Sequence, residues 1–178
     1  MPIQQNQVEN LFGALALSVT DAVAREIEGV EGAYGSDTFA LVLLQHCQVL
    51  RSDMLARQLR LAQSSTVRLV DRLEQAGLVQ RQVGADRRTV MLSLTCEGLA
   101  KAESILAVRQ NVLGRLVGML SEEESAALHG IASKLLAELT VGAVSGEQNC
   151  RLCDERACDL EQCPVELRYR TFADALRQ

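Results

Sequence analysis

Aromatic residues make up only 3% of this 178-residue chain, and tryptophan is absent. So few rings argue against the stacking platforms that grip single-stranded nucleic acid base by base. Histidine occurs twice, which leaves few candidates for a general base. There is no phosphate-cradling glycine loop, no nucleophile elbow and no histidine-rich metal motif. An enzyme reading therefore rests on the cysteines alone, as a redox or electron-transfer centre. No apolar run reaches the roughly 18 residues of a membrane span. The first residues lack the basic and apolar regions of a secretory signal. The expected location is the cytoplasm, where the six cysteines are reduced thiols or metal ligands. What is abundant is apolar character, 48% of residues, enough to bury one core carrying a small appendage.

The informative stretch is Arg51–Glu97. Ser52 is placed to cap a short helix, with Asp53 in its first turn. Met54, Leu55, Leu59 and Leu61 supply its apolar contacts and those of the following turn. A second helix opens at Gln63. Val67, Leu69, Val70 and Leu73 recur along it at helical spacing, and Gly77 stands where a helix-terminating glycine belongs. Its outward face is expected to carry Ser64, Ser65, Thr66, Arg68, Asp71 and Arg72. Short hydroxyls at a helix N-terminus, with arginine a turn later, suit phosphate and base-edge contacts in a major groove. Two strands follow, residues 78–83 and 89–94, joined by Gly84-Ala85-Asp86-Arg87-Arg88. An arginine pair at a hairpin tip suits a minor groove or a phosphate, and Asp86 is placed to hold one guanidinium in a bidentate pair. The pattern predicts a winged helix-turn-helix that reads double-stranded DNA. The plainer alternative is a solvated pair of hairpins with scattered arginines. Local charge opposes that alternative. Residues 51–90 hold eight arginines and four acids, a net of +4 within a chain of net −5. A basic lobe on an acidic body is the asymmetry of a DNA reader.

At these residues the sequence resembles the MarR family of bacterial transcriptional regulators. The resemblance is carried by the LVDRLEQAGLVQR run from Leu69 to Arg81, by Asp86 and Arg88 of the wing followed by Leu94-Thr95, and by Glu97-Gly98. Helical flanks fit from about residue 8 to residue 139. The resemblance implies an obligate homodimer with a DNA-binding lobe on each subunit. It also implies a repressor released from a pseudo-palindromic operator by a small-molecule inducer or an oxidant.

The flanks read as helices. Residues 7–28 place Val8, Leu11, Phe12, Leu15, Val19, Val23 and Ile27 on one face, and residues 29–35 are a break. Residues 39–50 form an almost wholly apolar helix capped by Ser36 or Asp37. In it His46 is expected as a hydrogen-bonded core residue and Cys47 as a small buried hydrophobe. Thr95 caps a helix over residues 96–119. Ser121 and Glu124 form a capping box for another that runs through Leu139. The fold class expected is mainly α with a small β-hairpin wing, a winged helix-turn-helix on a helical dimerisation body. The chain divides into a dimerisation helix (1–35), the DNA-binding lobe (36–97), dimerisation helices (98–143) and a cysteine-rich tail (144–178). The body helices suit intertwining with a second copy, the alternative being an intramolecular bundle. A two-fold pair would read half-sites about 34 Å apart.

Residues 141–149 read as a linker. Then come Cys150, Cys153, Cys158 and Cys163-Pro164, spaced C-x2-C-x4-C-x4-C-P. Thiolates this close repel unless a cation or cluster sits among them, and four suffice for Zn²⁺ or an iron–sulfur cluster. The closing C-P is also found in bacterial ferredoxin runs, although their spacings differ. A zinc ribbon ordinarily separates its two pairs by a dozen residues or more, as here it does not. The expectation is a sensor of metal or redox state. Its alternatives are a thiol–disulfide switch, incidental cysteines, and a purely structural zinc tail on a regulator induced by a small aromatic ligand. An amphipathic segment from Val165 to Leu176 is expected to dock the tail on the body.

Overall fold

A computed structural model describes residues 4–84, 86 and 89–175. Among them the chain forms α1 (Gln5–Glu31), α2 (Ser36–Cys47), β1 (Val49–Arg51), α3 (Ser52–Gln58), α4 (Gln63–Gln75), β2 (Val79–Val83), β3 (Val90–Leu94), α5 (Cys96–Val117), α6 (Glu122–Leu139), α7 (Ala143–Asn149) and α8 (Pro164–Ala175). A single 3₁₀ turn, Glu155–Ala157, lies between α7 and α8. No described helix is long and apolar enough to cross a membrane.

The lobe is built around α2. Ala40, Leu41, Val42, Leu43 and Leu44 are all buried on it, against Leu55 of α3, Leu69 and Leu73 of α4, Leu92 of β3 and Ile105 of α5. The helix-turn-helix closes as its sequence dictates. Leu78 N–H reaches back to Leu73 O and Gly77 N–H to Glu74 O, each at 2.9 Å. This double return needs a residue with positive φ between the two donors, and Gly77 at φ 72° supplies it. Thr95 caps α5 by accepting from Gly98 N–H at 3.0 Å. A Cβ on Gly98 would sit 1.9 Å from Leu78 O, so only glycine lets α5 start this close to the end of the helix-turn-helix. The Ser121–Glu124 capping box forms in both directions, at 2.9 and 3.2 Å.

The apolar run expected as one helix to residue 50 is a helix and a strand. α2 stops at Cys47, and β1 pairs antiparallel with β3 through Val49–Ser93, Leu50–Leu92 and Arg51–Met91. The sheet order is β1-β3-β2. The strand forms because β3 offers an open edge and because Leu50 buries beside Leu92. Cys47 at the helix end is exposed, where a buried hydrophobe was expected. α1 continues through the expected break as far as Glu31 and ends at Gly32, φ 79°. Residues 143–149, expected in a linker, are helical. Ser145 Oγ accepts from Val141 and Gly142 N–H at 2.9 and 3.0 Å, and Gly146 packs against the Tyr169 side chain of α8. Tertiary packing here overrides a loop-like composition.

α8 docks on α6 and α7, as its amphipathic pattern predicts. The two body helices are different. α6 has no buried residue. Leu128, Ile131, Leu135 and Leu139 stand exposed along it, and Val8, Leu11, Phe12 and Leu15 along α1.

Candidate nucleic-acid interface and cysteine cavity

The second helix of the helix-turn-helix, α4, has its register fixed by burial. Thr66, Leu69, Val70 and Leu73 face inward, the i, i+3, i+4, i+7 spacing of one helical face. Ser64 and Arg68 are exposed and Ser65 is half-buried. Two expectations change. Thr66 is 0% exposed, and its hydroxyl donates to Ala62 O at 3.2 Å, so it belongs to the lobe's core and not to the outward face. Val67, expected inside, is 45% exposed and stands beside Arg68. The inward stripe begins one residue earlier than the run of apolar letters suggests, because a threonine can bury once its hydroxyl is satisfied within the helix.

The outward face of α4 borders a cleft of about 380 Å³ whose walls include Arg51, Gln63, Val67, Arg81 and Val90. Arg51, Gln63 and Arg81 were not singled out from sequence. The signal available was their shared place at the helix–sheet junction, visible only once β1 is known. Several cations are already oriented. Arg51 makes a bidentate pair with Asp53 at 2.9 and 2.7 Å, and that guanidinium holds the Asp53 carboxyl below the usual carboxylate range. Arg72 reaches across to Asp37 of α2 at 2.7 Å, so it braces two helices as well as adding positive charge. Arg81 bridges Asp71 and Glu74, the latter at 3.2 Å. In the wing, Gly84 N–H donates to Thr89 O and Thr89 N–H to the backbone carbonyl of the exposed Asp86. Arg87 and Arg88 lie outside the described residues.

The tail forms the second candidate site. Cys150 follows α7, Cys153 sits in the next turn, Cys158 follows the 3₁₀ turn and Cys163 immediately precedes α8. All four line one cavity of about 460 Å³, roofed by Ala132 and Leu136 of α6. The neighbouring Cys153, then burial, push the Cys150 thiol up, while Cys150, assisted by Arg109 and Arg151, draws Cys153 down to about 6. Burial, then Cys153 and Cys163, push Cys158 up. Among the described residues no group of three or more His, Cys, Asp or Glu side chains is placed to hold one metal ion. Cys47 and Cys96 lie outside this cavity.

The cysteine segment is fastened to the rest of the chain at several points. His46 Nδ1 at the end of α2 lies 3.4 Å from Glu155 Oε1. This histidine therefore partners the tail rather than the core, and its buried Nε2 has no partner among the described residues. Arg156 reaches Glu103 of α5 at 3.7 Å. The Arg151 guanidinium stacks 5.0 Å above the Phe39 ring of α2.

Comparison with known proteins bears on the helix-turn-helix lobe. The profile of the MarR family matches residues 36–90, which span α2 to the start of β3. The HTH-type transcriptional repressor MdtR of Bacillus subtilis is 34% identical over 106 residues, covering 59% of this chain and 68% of that protein. The crystal structure of YusO from Bacillus subtilis superposes with a TM-score of 0.65 at 29% identity, covering 75% of this chain and 97% of that one. A mutant of S. aureus MepR bound to an oligodeoxyribonucleotide shares the fold, with a TM-score of 0.58 at 24% identity over 74% of this chain and 97% of that one.

Proposed function

The chain belongs to the MarR family of DNA-binding transcriptional regulators, which are not enzymes, and from that premise we propose that it is a homodimeric, cytoplasmic repressor of a pseudo-palindromic operator. One observation carries the reading. α4 buries Thr66, Leu69, Val70 and Leu73 and turns Ser64, Val67 and Arg68 outward beside a cleft that holds Arg51 and Arg81. In this assignment Ser64, Ser65 and Arg68 meet base edges and phosphates of the major groove, and Val67 suits a thymine methyl. Arg72 contributes positive field while tied to Asp37. The wing, with Asp86, Arg87 and Arg88, follows the minor groove or backbone.

The dimer assignment is supported by α1 and α6. Their apolar stripes have the spacing of packed helices yet lie exposed in the single chain. A second copy would cover both, so residues 1–35 and 98–143 act as the dimer body, residues 36–97 as the reading lobe and residues 144–178 as the sensor. The tail is assigned as a site for Zn²⁺ or an iron–sulfur cluster, responsive to metal or redox state. Its support is four cysteines on one cavity, in a segment tied to α2 through His46 and Arg151. A small-molecule inducer also has a candidate place, a cavity of about 210 Å³ between α1, α5 and the tail, lined by Val23, Tyr34, Leu113 and Leu152.

The test is selection of bound duplexes from a random library, then footprinting at fixed ionic strength. The expected result is two protected half-sites about 34 Å apart, with affinity that falls steeply as salt rises. A single protected half-site, or no preferred sequence, overturns the assignment.

A further inference from the structure

A groove of about 380 Å³ lies between the helix-turn-helix and the tail, with no cysteine in its walls. Those walls include Phe39 of α2, Gln58 and Arg60 at the end of α3, and Gln148 and Arg151 around the end of α7. Three of these residues sit in unfavourable states. Gln58 and Gln148 are only 5% and 8% exposed. Each keeps one buried amide atom, Gln58 Oε1 and Gln148 Nε2, without a hydrogen-bond partner among the described residues. An acceptor and a donor left unpaired in the interior destabilise a fold unless something bonds to them. Arg60 holds φ at 54°, a left-handed backbone that strains any L side chain and that glycine would adopt freely. Arg151 is fixed from two sides. It donates to Gln148 O at 2.6 Å and stacks on Phe39, whose ring meets Tyr34 edge-on at 5.4 Å. Among the described residues neither guanidinium is paired with a carboxylate.

We propose that this groove binds a small phosphate that also carries a hydroxyl, either hydrogen phosphate or a phosphorylated polyol. The two guanidiniums supply positive charge and several uncommitted donors. Gln148 Nε2 adds a neutral donor. Three separate donor groups suit the acceptor oxygens of a phosphate, whereas a carboxylate's two oxygens are filled by a single guanidinium. Gln58 Oε1 has the reverse need, and only a ligand with a proton of its own can donate to it. A metal ion or an apolar ring meets neither requirement. The local backbone does not account for Arg60, since glycine would serve that turn with less strain. Its side chain, at the rim of a groove that faces a second oriented arginine, does. Arg60 stands between α3 and α4, and Arg151 follows α7. One bound anion therefore links the turn that leads into the reading helix with the tail.

The test is isothermal titration calorimetry of the full chain with sodium phosphate, a hexose phosphate, sodium sulfate and sodium chloride at matched ionic strength. The expected result is saturable binding of phosphate or the hexose phosphate at one site per chain. The tighter of the two tells a free anion from a phosphorylated polyol. Sulfate is of similar shape but has no hydroxyl near neutral pH, and should bind about tenfold more weakly or worse. Arg151→Ala and Arg60→Gly should each weaken phosphate binding about tenfold or more. Arg60→Gly should also keep or raise the denaturation midpoint, because it relieves the backbone. Gln58→Met should erase the preference for phosphate over sulfate. Arg57→Ala, outside the groove, should bind as wild type does. Equal heats from all four salts, or unchanged affinity in Arg151→Ala and Arg60→Gly, overturn the proposal. Lower DNA affinity in those two variants, with no anion bound by the wild type, makes the groove a contact for the duplex backbone and overturns it as well.

Discussion

The reading lobe and the helical body treat their apolar residues in opposite ways. In the lobe α2, α3 and α4 bury their stripes, down to Leu41, Leu55 and Leu69 with at most 1% of their surface exposed. In the body, α6 has half-buried residues under α8 but no fully buried one, and Leu11 and Leu139 remain 71% and 64% exposed. The lobe completes its core within one chain. The body leaves its stripes uncovered within one chain, and because apolar stripes this long are costly to leave in water, they are the ground for the proposed second copy. Substitutions of similar chemistry should therefore fail differently in the two regions.

The largest effect is expected at the body surface. Ile131→Glu should abolish the dimer and with it high-affinity operator binding, while circular dichroism of the lobe stays unchanged. A dimer that persists in sedimentation would show that α6 is covered by something other than a second copy. In the lobe, Leu55→Ala should lower unfolding free energy by about 2–5 kcal/mol and leave the dimer constant unaffected once unfolded protein is accounted for. Gly98→Ala should cost roughly 1–3 kcal/mol or more in the same denaturation assay, because its methyl meets Leu78 O. A neutral outcome would mean that the α5 start can shift without loss. On α4 itself, Arg68→Ala and, in the wing, Arg88→Ala should each weaken operator binding by about 1–3 kcal/mol. Thr66→Val should change that binding by less than about 0.5 kcal/mol, since Thr66 is interior. Equal losses at Arg68 and Thr66 in a salt-controlled titration would reverse the assignment of the two faces.

The smallest effect concerns the tail. The Arg156 guanidinium holds the Asp154 carboxyl below its ordinary range. A depressed folded-state value stabilises above the unfolded pKa and is lost as pH falls through the folded one. Amide exchange over residues 150–158 should accelerate slightly below about pH 4, and Asp154→Asn should remove that acid response. An identical response in the variant would take Asp154 out of tail docking.

The same contrast explains what was legible in the sequence. The extent of α4, the two paired strands of the hairpin, the Thr95 cap and the Ser121–Glu124 box are local patterns, set within a few residues, and they appear as read. β1 was hidden because Val49-Leu50-Arg51 continues an apolar helix in sequence and becomes a strand only beside β3, some forty residues later. α7 was hidden because its helicity depends on Tyr169 and Thr140, which its own composition does not announce. Thr66 and Val67 exchanged roles because a one-residue phase error in a 3.6-residue period moves a side chain by about 100°. The cysteine spacing was plain from the start. What the fold adds is that all four thiols share one cavity and that the segment carrying them grips α2.

The most direct test of the paired reading heads is the mass of the protein–operator complex, by sedimentation equilibrium with a labelled duplex at low ionic strength. The account predicts two chains per duplex and a dimer in its absence. A monomer that ignores double-stranded DNA in every metal and redox state would contradict it.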